Sequence, residues 1–437
     1  MRPSALRLLS RPAAVLGLAT ALALTGCAPS TSSGGAEQGG DDRTGTLRVW
    51  LFREVDNAPK QRIVDDVVAG FEKQHDGVTV DVQYIPVDSR AEKMKGALND
   101  PSSAPDVVEF GNTDTAGLVE NGALLDVTDA FEEWDETADT DPTARQSVTV
   151  QGRVYGAPLF VGVRALYYRT DVFDDLGLEP PATLDELADT ARRIRQERPQ
   201  MYGIAVGGSY TYGALPFVWA HGGEVAEKRG GAWTATIDDA AARKGVTAYT
   251  DLFGPGNCPP ATCAQMGGND TVEAFANGKA GMVIGGDFNR EAVGNSEVAG
   301  SYDVVPLPGV REGEIAPAFA GGNNLGVMRG TGHRGLAVDL MRRLAGKETQ
   351  ERLFAEMGFL PTFTDTRQQV AAEEPFVEPF VRTLDVGAKF VPATPAWSAI
   401  DASQVLPTMF QRVVSGKQDV PGATGAAART MDEAFAR

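Results

Sequence analysis

Apolar positions recur along this chain with two periods, and the switching between them sets out alternating strands and helices from residue 46 onward. Residues 46–52 (TLRVWLF) read as a buried strand. Ile63, Val64, Val67, Val68 and Phe71 then fall at helical spacing, and 78–85 (VTVDVQYI) returns to a period of two. That is a βαβ unit. A second helix over about 88–99 leads through Pro101 and Pro105 into Asp106-Val107-Val108-Glu109-Phe110, a third strand. Strand and helix therefore alternate as in a doubly wound parallel sheet, which binds ligands beyond the carboxyl ends of its strands.

The second half repeats the alternation. Thr183-Leu184-Asp185-Glu186 is a capping box that opens a helix through Arg198, with Leu187, Ala191 and Ile194 on one face. A short strand follows at 202–206, then helices near 213–221, 238–252 and 270–277, and strands at 281–284 and 302–305. A second α/β lobe accounts for this order, and roughly 390 residues beyond the N-terminal segment exceed what one hydrophobic core supports.

That segment has its own pattern. Arg2, Arg7 and Arg11 precede the uncharged run 13–24 (AAVLGLATALAL), too short to span a bilayer as a mature helix, so residues 1–26 read as a secretory signal. Leu24-Thr25-Gly26-Cys27 resembles the bacterial lipobox, which implies lipid attachment at Cys27 and placement of the body on the outer face of the cell membrane. Residues 27–44 carry almost no apolar content and read as a flexible tether.

Composition narrows the partners. A formal charge of −19, made more negative by loss of the leader's three arginines, repels nucleic acid. With Cys27 spent on lipid, Cys258 and Cys263 remain, five positions apart in a Pro-rich loop, and in an exported chain they read as a local disulfide. His75, His221 and His333 are scattered without metal-ligand spacing, and Asp135, Glu136, Asp139 and Asp141 lack the glycine and terminal glutamate of a calcium loop, so they read as a solvated loop. No phosphate-binding glycine motif follows any strand. No cofactor, metal or catalytic residue is expected.

Polar groups gather at the strand ends, as Phe52-Arg53-Glu54 and Gly111-Asn112-Thr113-Asp114. For Asn112 and Thr113 turn or cap duty competes with ligand binding; Arg53, Glu54 and Asp114 read as site residues.

Several stretches, in order, resemble extracellular solute-binding protein family one, the carbohydrate-binding lipoproteins of ABC importers related to maltose-binding protein. They are the first strand with Trp50, Ala104-Pro105-Asp106-Val107-Val108 with Asn121-Gly122-Ala123-Leu124, and Val154-Tyr155-Gly156-Ala157-Pro158 running into Ala165-Leu166-Tyr167-Tyr168-Arg169-Thr170-Asp171. Ala274 to Met282, Gly321-Gly322-Asn323-Asn324-Leu325-Gly326-Val327 and Gly358-Phe359-Leu360-Pro361-Thr362 continue the likeness. The resemblance implies an α/β, two-lobed periplasmic-binding-protein fold of type II, a Venus flytrap with its ligand cleft between the lobes. It places 45–160 and 306–357 in the N-terminal lobe and 161–305 and 358–437 in the C-terminal lobe. Strands would cross near 159–164, 304–308 and 355–362. It also implies closure on ligand by hinge motion and delivery to ABC permease subunits with a cytoplasmic ATPase.

A sugar offers apolar faces and a ring of hydroxyls, so its site needs aromatic planes and planar polar side chains. Carried over position by position, the resemblance puts the cleft at Phe52, Arg53, Glu54, Asn112, Thr113, Asp114, Tyr210, Tyr212, Asp287, Phe288, Asn323, Asn324 and Trp397. Trp397, in a Pro-flanked loop, is expected as the principal platform, and Phe288 stands where relatives carry tryptophan. Arg164, on the expected hinge strand, either faces the cleft or forms a salt bridge; Trp219 reads as core. The alternatives are a lipid-anchored extracellular glycoside hydrolase using Glu54, Asp114 or Asp287, and a binder of polyamine, iron or peptide.

Overall fold

The computed structural model describes residues 41–54, 57–86, 89–100 and 103–436. The leader, Cys27 and most of the tether lie outside the described residues.

The chain opens with β1 (Gly45–Arg53), the helix Ala58–Gln74, β2 (Val78–Pro86), the helix Arg90–Asn99 and β3 (Val107–Gly111). β1 pairs in parallel with β2 on one side and β3 on the other, Val49 standing opposite Val82 and Val107. Because successive side chains leave a strand on opposite faces, Leu47, Val49 and Leu51 pack with Ile63, Val64 and Phe71 in one layer. Trp50 packs with Val108 and Phe110 in the other. A small pair, β4 (Thr149–Val150) and β5 (Arg153–Val154), then leads to β6 (Ala157–Gly162).

Only Val163 separates β7 (Arg164–Arg169) from the end of β6, yet β7 lies in a different sheet. β8 (Tyr202–Ala205), the hairpin β9 (Ala226–Arg229) and β10 (Ala232–Ala235), β11 (Ala280–Gly286) and β12 (Tyr302–Val305) follow, and β13 (Gly321–Val327) returns to the first sheet. The two main sheets have orders β2-β1-β3-β13-β6 and β12-β7-β11-β8. Neither is wholly parallel. β13 runs antiparallel to β3 and β6, and β7 antiparallel to β11 and β12. Both arrive directly from the other half of the molecule instead of through a covering helix, so they enter against the direction of the βα-built strands.

The fold is therefore a two-lobed α/β architecture with one sheet per lobe. The expected passage at 304–308 differs from the observed path. Leu307, Ala316 and Phe319 pack into the second lobe's core, and the chain reaches the first sheet only at Gly321, because the 306–320 segment first folds back on itself through Pro308 and Ile315. Near 355–362, Leu360 pairs with Val161 and accepts its amide proton at 3.0 Å, so this passage lies against the β6 end. The helices after 396 bury Trp397, Leu406, Met409 and Phe410 in the second lobe's core, together with Trp219.

Some polar expectations change here. Asp141 is not solvated: it caps the helix Pro142–Ser147 by accepting from the Thr143 and Ala144 amides and meets the buried guanidinium of Arg367 at 2.8 Å. Asp139 accepts from Lys347 at 2.7 Å. The acidic run thus anchors later segments of the chain. Thr183 accepts from the Glu186 amide at 3.1 Å as a helix cap, while the Glu186 carboxylate reaches the amide of Ala182. Cys258 and Cys263 are joined, their Cα atoms 6.0 Å apart. Among the described residues no helix is long and apolar enough to cross a membrane.

Candidate functional site

The carboxyl ends of β1 and β3 open onto a cavity of about 400 Å³ whose opposite wall comes from the helix Ala396–Ala402. The first-lobe wall carries Phe52, Arg90, Glu109, Thr113 and Asp114; the second-lobe wall carries Trp397, Ser398 and Asp401. The walls approach closely: a Cβ placed on Gly117 would stand 3.8 Å from Ser398 Oγ. A cavity bounded by the first sheet and by a helix packed in the second lobe's core is a cleft between lobes.

Each wall has a local cause. Phe52 is the last buried residue of β1, and the Arg90 guanidinium lies 5.3 Å from its ring centroid. Its amide donates to Glu109 Oε2 at 2.8 Å. Glu109 points from the middle of β3 into a buried ion pair with Lys60, whose Nζ donates to both Glu109 oxygens, to Glu54 Oε1 and to the Phe52 carbonyl. Burial lowers the Lys60 pKa, but Glu109 and Glu54 outweigh it and hold the ammonium above its usual range. Asn323 Nδ2 donates to Glu109 Oε1 at 2.7 Å and completes the network.

Asp114 stands at the start of the helix Thr115–Glu120, where burial raises its pKa, Arg90 opposes the rise and Asp401 adds to it. Partial desolvation of its carboxyl at the cavity wall also raises Asp401, again against Arg90, although the residue as a whole stays exposed. Two carboxyls from opposite lobes therefore share the field of one arginine. Trp397 is 3% exposed, and its indole Nε1 finds no hydrogen-bond partner among the described residues.

On the second lobe, Arg164 Nε donates to Tyr210 Oη at 2.8 Å, and its guanidinium lies 5.5–5.7 Å from the ring centroids of Tyr210, Tyr212 and Phe288. Arg164 forms no salt bridge among the described residues; it is the centre of an aromatic cage. Tyr212 stacks on Phe319 at 4.1 Å, and Phe288 is 44% exposed.

The structure thus brings Phe52, Thr113, Asp114 and Trp397 to one cavity and gathers Arg164, Tyr210, Tyr212 and Phe288 beside it. The other expected site residues do not line this cavity. Arg53 is exposed at the strand end opposite Pro86, and Glu54 is bound to Lys60. Asn323 is spent on Glu109, while Asn324, 1% exposed, exchanges hydrogen bonds with Ser147 inside the first lobe. Asp287, 2% exposed, accepts from the Val163 amide. Asn112 donates to the Ala320 carbonyl at 3.0 Å and faces an adjoining cavity that it shares with Thr113. The residues that sequence reading missed are Arg90, Glu109, Ser398 and Asp401. Glu109 carried a signal, a lone charge in an apolar strand; Asp401 carried a weaker one, four places after Trp397 and so on the same helical face.

Two α/β lobes, joined by strands that change sheets and closing a polar, aromatic-walled cleft, define the class of two-lobed solute-binding proteins. The chain belongs to the bacterial extracellular solute-binding protein family, whose sequence model it matches over residues 55–351. It is 26% identical over 424 residues to the diacetylchitobiose binding protein DasA of Streptomyces coelicolor, covering 94% of this chain and 95% of that one. It is 25% identical over 428 residues to the galactooligosaccharide-binding protein of Bacillus subtilis, covering 95% of each. The solved structure of the sugar-binding protein MalE from Xanthomonas citri superposes with a TM-score of 0.79 at 24% identity, over 90% of this chain and 98% of that one.

Proposed function

We propose that this chain captures a sugar or oligosaccharide in the interlobe cleft and hands it to the permease subunits of an ABC importer. The observation that carries this reading is the pairing of aromatic surface with carboxyls drawn from opposite lobes: Phe52 and Asp114 on one wall, Trp397 and Asp401 on the other. Aromatic faces suit the apolar faces of a pyranose, and carboxylates accept from its hydroxyls. A ligand gripped by both walls holds the lobes together, and the closed form is the signal that cargo is present. The division of the chain into lobes, with passages near 159–164, 306–320 and 355–362, belongs to this proposal, as does tethering to the outer membrane face through lipid on Cys27.

The hydrolase alternative is disfavoured by geometry. Of its three carboxylates, Glu54 is bound to Lys60 and Asp287 to the Val163 amide. Metal capture would call for a cluster of His, Cys or acidic ligands, and no group of three His, Cys, Asp or Glu able to hold a metal occurs among the described residues.

The test is a thermal-shift screen of the body from residue 45 onward against mono- and oligosaccharides, with chromatography of each mixture afterwards. A selective rise in melting temperature with the sugar recovered intact supports the reading. Cleavage products would transfer the case to the hydrolase, and no shift with any sugar would end the carbohydrate proposal. For the anchor, Cys27→Ser should release the protein from membranes or leave it unprocessed.

A further inference from the structure

Thr113 is shared by two cavities. Beyond it the cleft continues into a second chamber of about 370 Å³, walled by Asn112, Gln146 and Thr149 on the first lobe and by Glu224, Trp233 and Lys389 on the second. The family likeness in the sequence pointed to Asn112 alone among these six.

The second chamber is held rigid from behind. Lys389 is pinned at its backbone, its N–H donating to the Ala318 carbonyl at 2.8 Å and its C=O accepting from the Ala320 amide at 2.9 Å, while its ammonium pairs with Glu224. The same Ala320 carries the hydrogen bond from Asn112, so both walls are tied to the segment that enters β13. Trp233 sits on the β9–β10 hairpin with its indole backed by Phe435, ring centroids 6.4 Å apart, and the hairpin is fixed by the Ala235 amide donating to Asp432 at 2.8 Å. An aromatic plane held in place, a half-exposed carboxylate and ammonium, and amide and hydroxyl groups opposite are the chemistry that meets a polyhydroxylated ring.

The two chambers also match in kind. Each sets one indole against polar side chains of the first lobe, and Thr113 lines both. Either volume alone falls near the bottom of the roughly 300–1,000 Å³ range of small-molecule pockets; the two together suit a larger ligand.

We infer that the cleft is a two-chamber groove whose second chamber binds a further sugar unit, so that the cargo is an oligosaccharide of at least two units and not a monosaccharide. The inference rests on the carbohydrate reading above and adds ligand length to it.

Calorimetric titration with glucose, galactose and N-acetylglucosamine, each alongside its di- and trisaccharide in α- and β-linked forms, tests it. The expected result is that, for the series that binds, Kd falls by about tenfold or more from monosaccharide to di- or trisaccharide. Gln146→Ala and Lys389→Met, which leave the apolar core intact, should each cut the oligomer-to-monomer affinity ratio by about fivefold or more, and Trp233→Ala should cut it further. A monosaccharide that binds as tightly as its oligomers, with a ratio indifferent to these variants, would overturn the two-chamber groove while leaving sugar binding intact. Failure of every sugar to bind would remove the carbohydrate reading and this inference with it.

Discussion

The carboxylate of Asp287 accepts a hydrogen bond from the Val163 amide at 2.8 Å, and the Asp287 amide donates to the Val163 carbonyl at 3.1 Å. Val163 is the single residue between β6 and β7, where the chain leaves one sheet for the other. An acid expected to meet ligand instead clasps the joint.

That clasp makes stability depend on pH. Burial pushes the Asp287 carboxyl up to about 7, against the Val163 amide and the Arg164 charge, with Tyr167 and Arg290 the other titratable groups nearby. A carboxyl held above its unfolded value of 3.8 gives stability that is fully present below about pH 4 and lost as pH rises through 7, by up to about 4 kcal/mol. Asp287→Asn keeps the acceptor and removes the titration. Melting curves should show the variant gaining on the wild type between about pH 4 and pH 7, with the gap constant above that; parallel curves throughout would rule out the linkage.

Lys60 and Glu109 are 2% and 1% exposed, so removing one strands the other. Lys60→Met should cost roughly 3–5 kcal/mol in urea unfolding, and Lys60→Met combined with Glu109→Gln should recover a large part of it. Additive losses would mean that the pair is not coupled.

Trp397 now answers two questions that need separate variants. As a core side chain it should cost about 3–5 kcal/mol when cut to alanine, which confounds a binding assay. Trp397→Phe keeps most of the packing and removes the unpartnered Nε1–H. Beside it, Asp401→Asn is expected to weaken sugar binding by about tenfold with little change in the ligand-free melting temperature, because Asp401 is exposed. Unchanged affinity would remove Asp401 from the site.

Gly207 and Gly208 lie against the loop closed by Cys258 and Cys263. A Cβ on Gly208 would come within 2.3 Å of the Ala264 carbonyl oxygen, and one on Gly207 within 2.1 Å of that of Met266. Gly208→Ala should therefore lower stability by about 1–3 kcal/mol. Replacing both cysteines with serine should cost about 2 kcal/mol, as befits so short a loop, with a measurable fall in melting temperature.

How far the sequence spoke can be judged residue by residue. β1, β2 and the helix between them are strongly periodic, and their apolar faces meet as the pattern requires. Thr183 announced its helix because a cap is a local device. β13 did not announce itself: Gly321-Gly322-Asn323-Asn324 has the composition of a turn, and its strand character comes from β3 and β6, partners far away in the chain. The Asp141–Arg367 pair spans 226 positions, so no local signal marks it. Trp397 looked exposed because of the prolines around it; Pro395 instead opens a helix of seven residues whose apolar side faces the core, too short to show a period. Asp287 looked like a cleft acid because it follows an apolar strand; it is buried and bonded to Val163, 124 positions earlier in the chain, which no local signal marks.

The one-residue link at Val163 separates where a ligand is gripped from where the grip is set. In the closure proposed above the walls of the cleft travel with the two sheets, and torsions at Gly162, Val163 and Arg164 act at one of the three passages that set their spacing. A Cβ at Gly162 would meet the Phe288 ring at 3.3 Å and bias the joint without adding any group to the first cavity. Affinity and speed of release can then drift during evolution, or be tuned by design, through this joint, while the set of groups that recognises the cargo stays as it is.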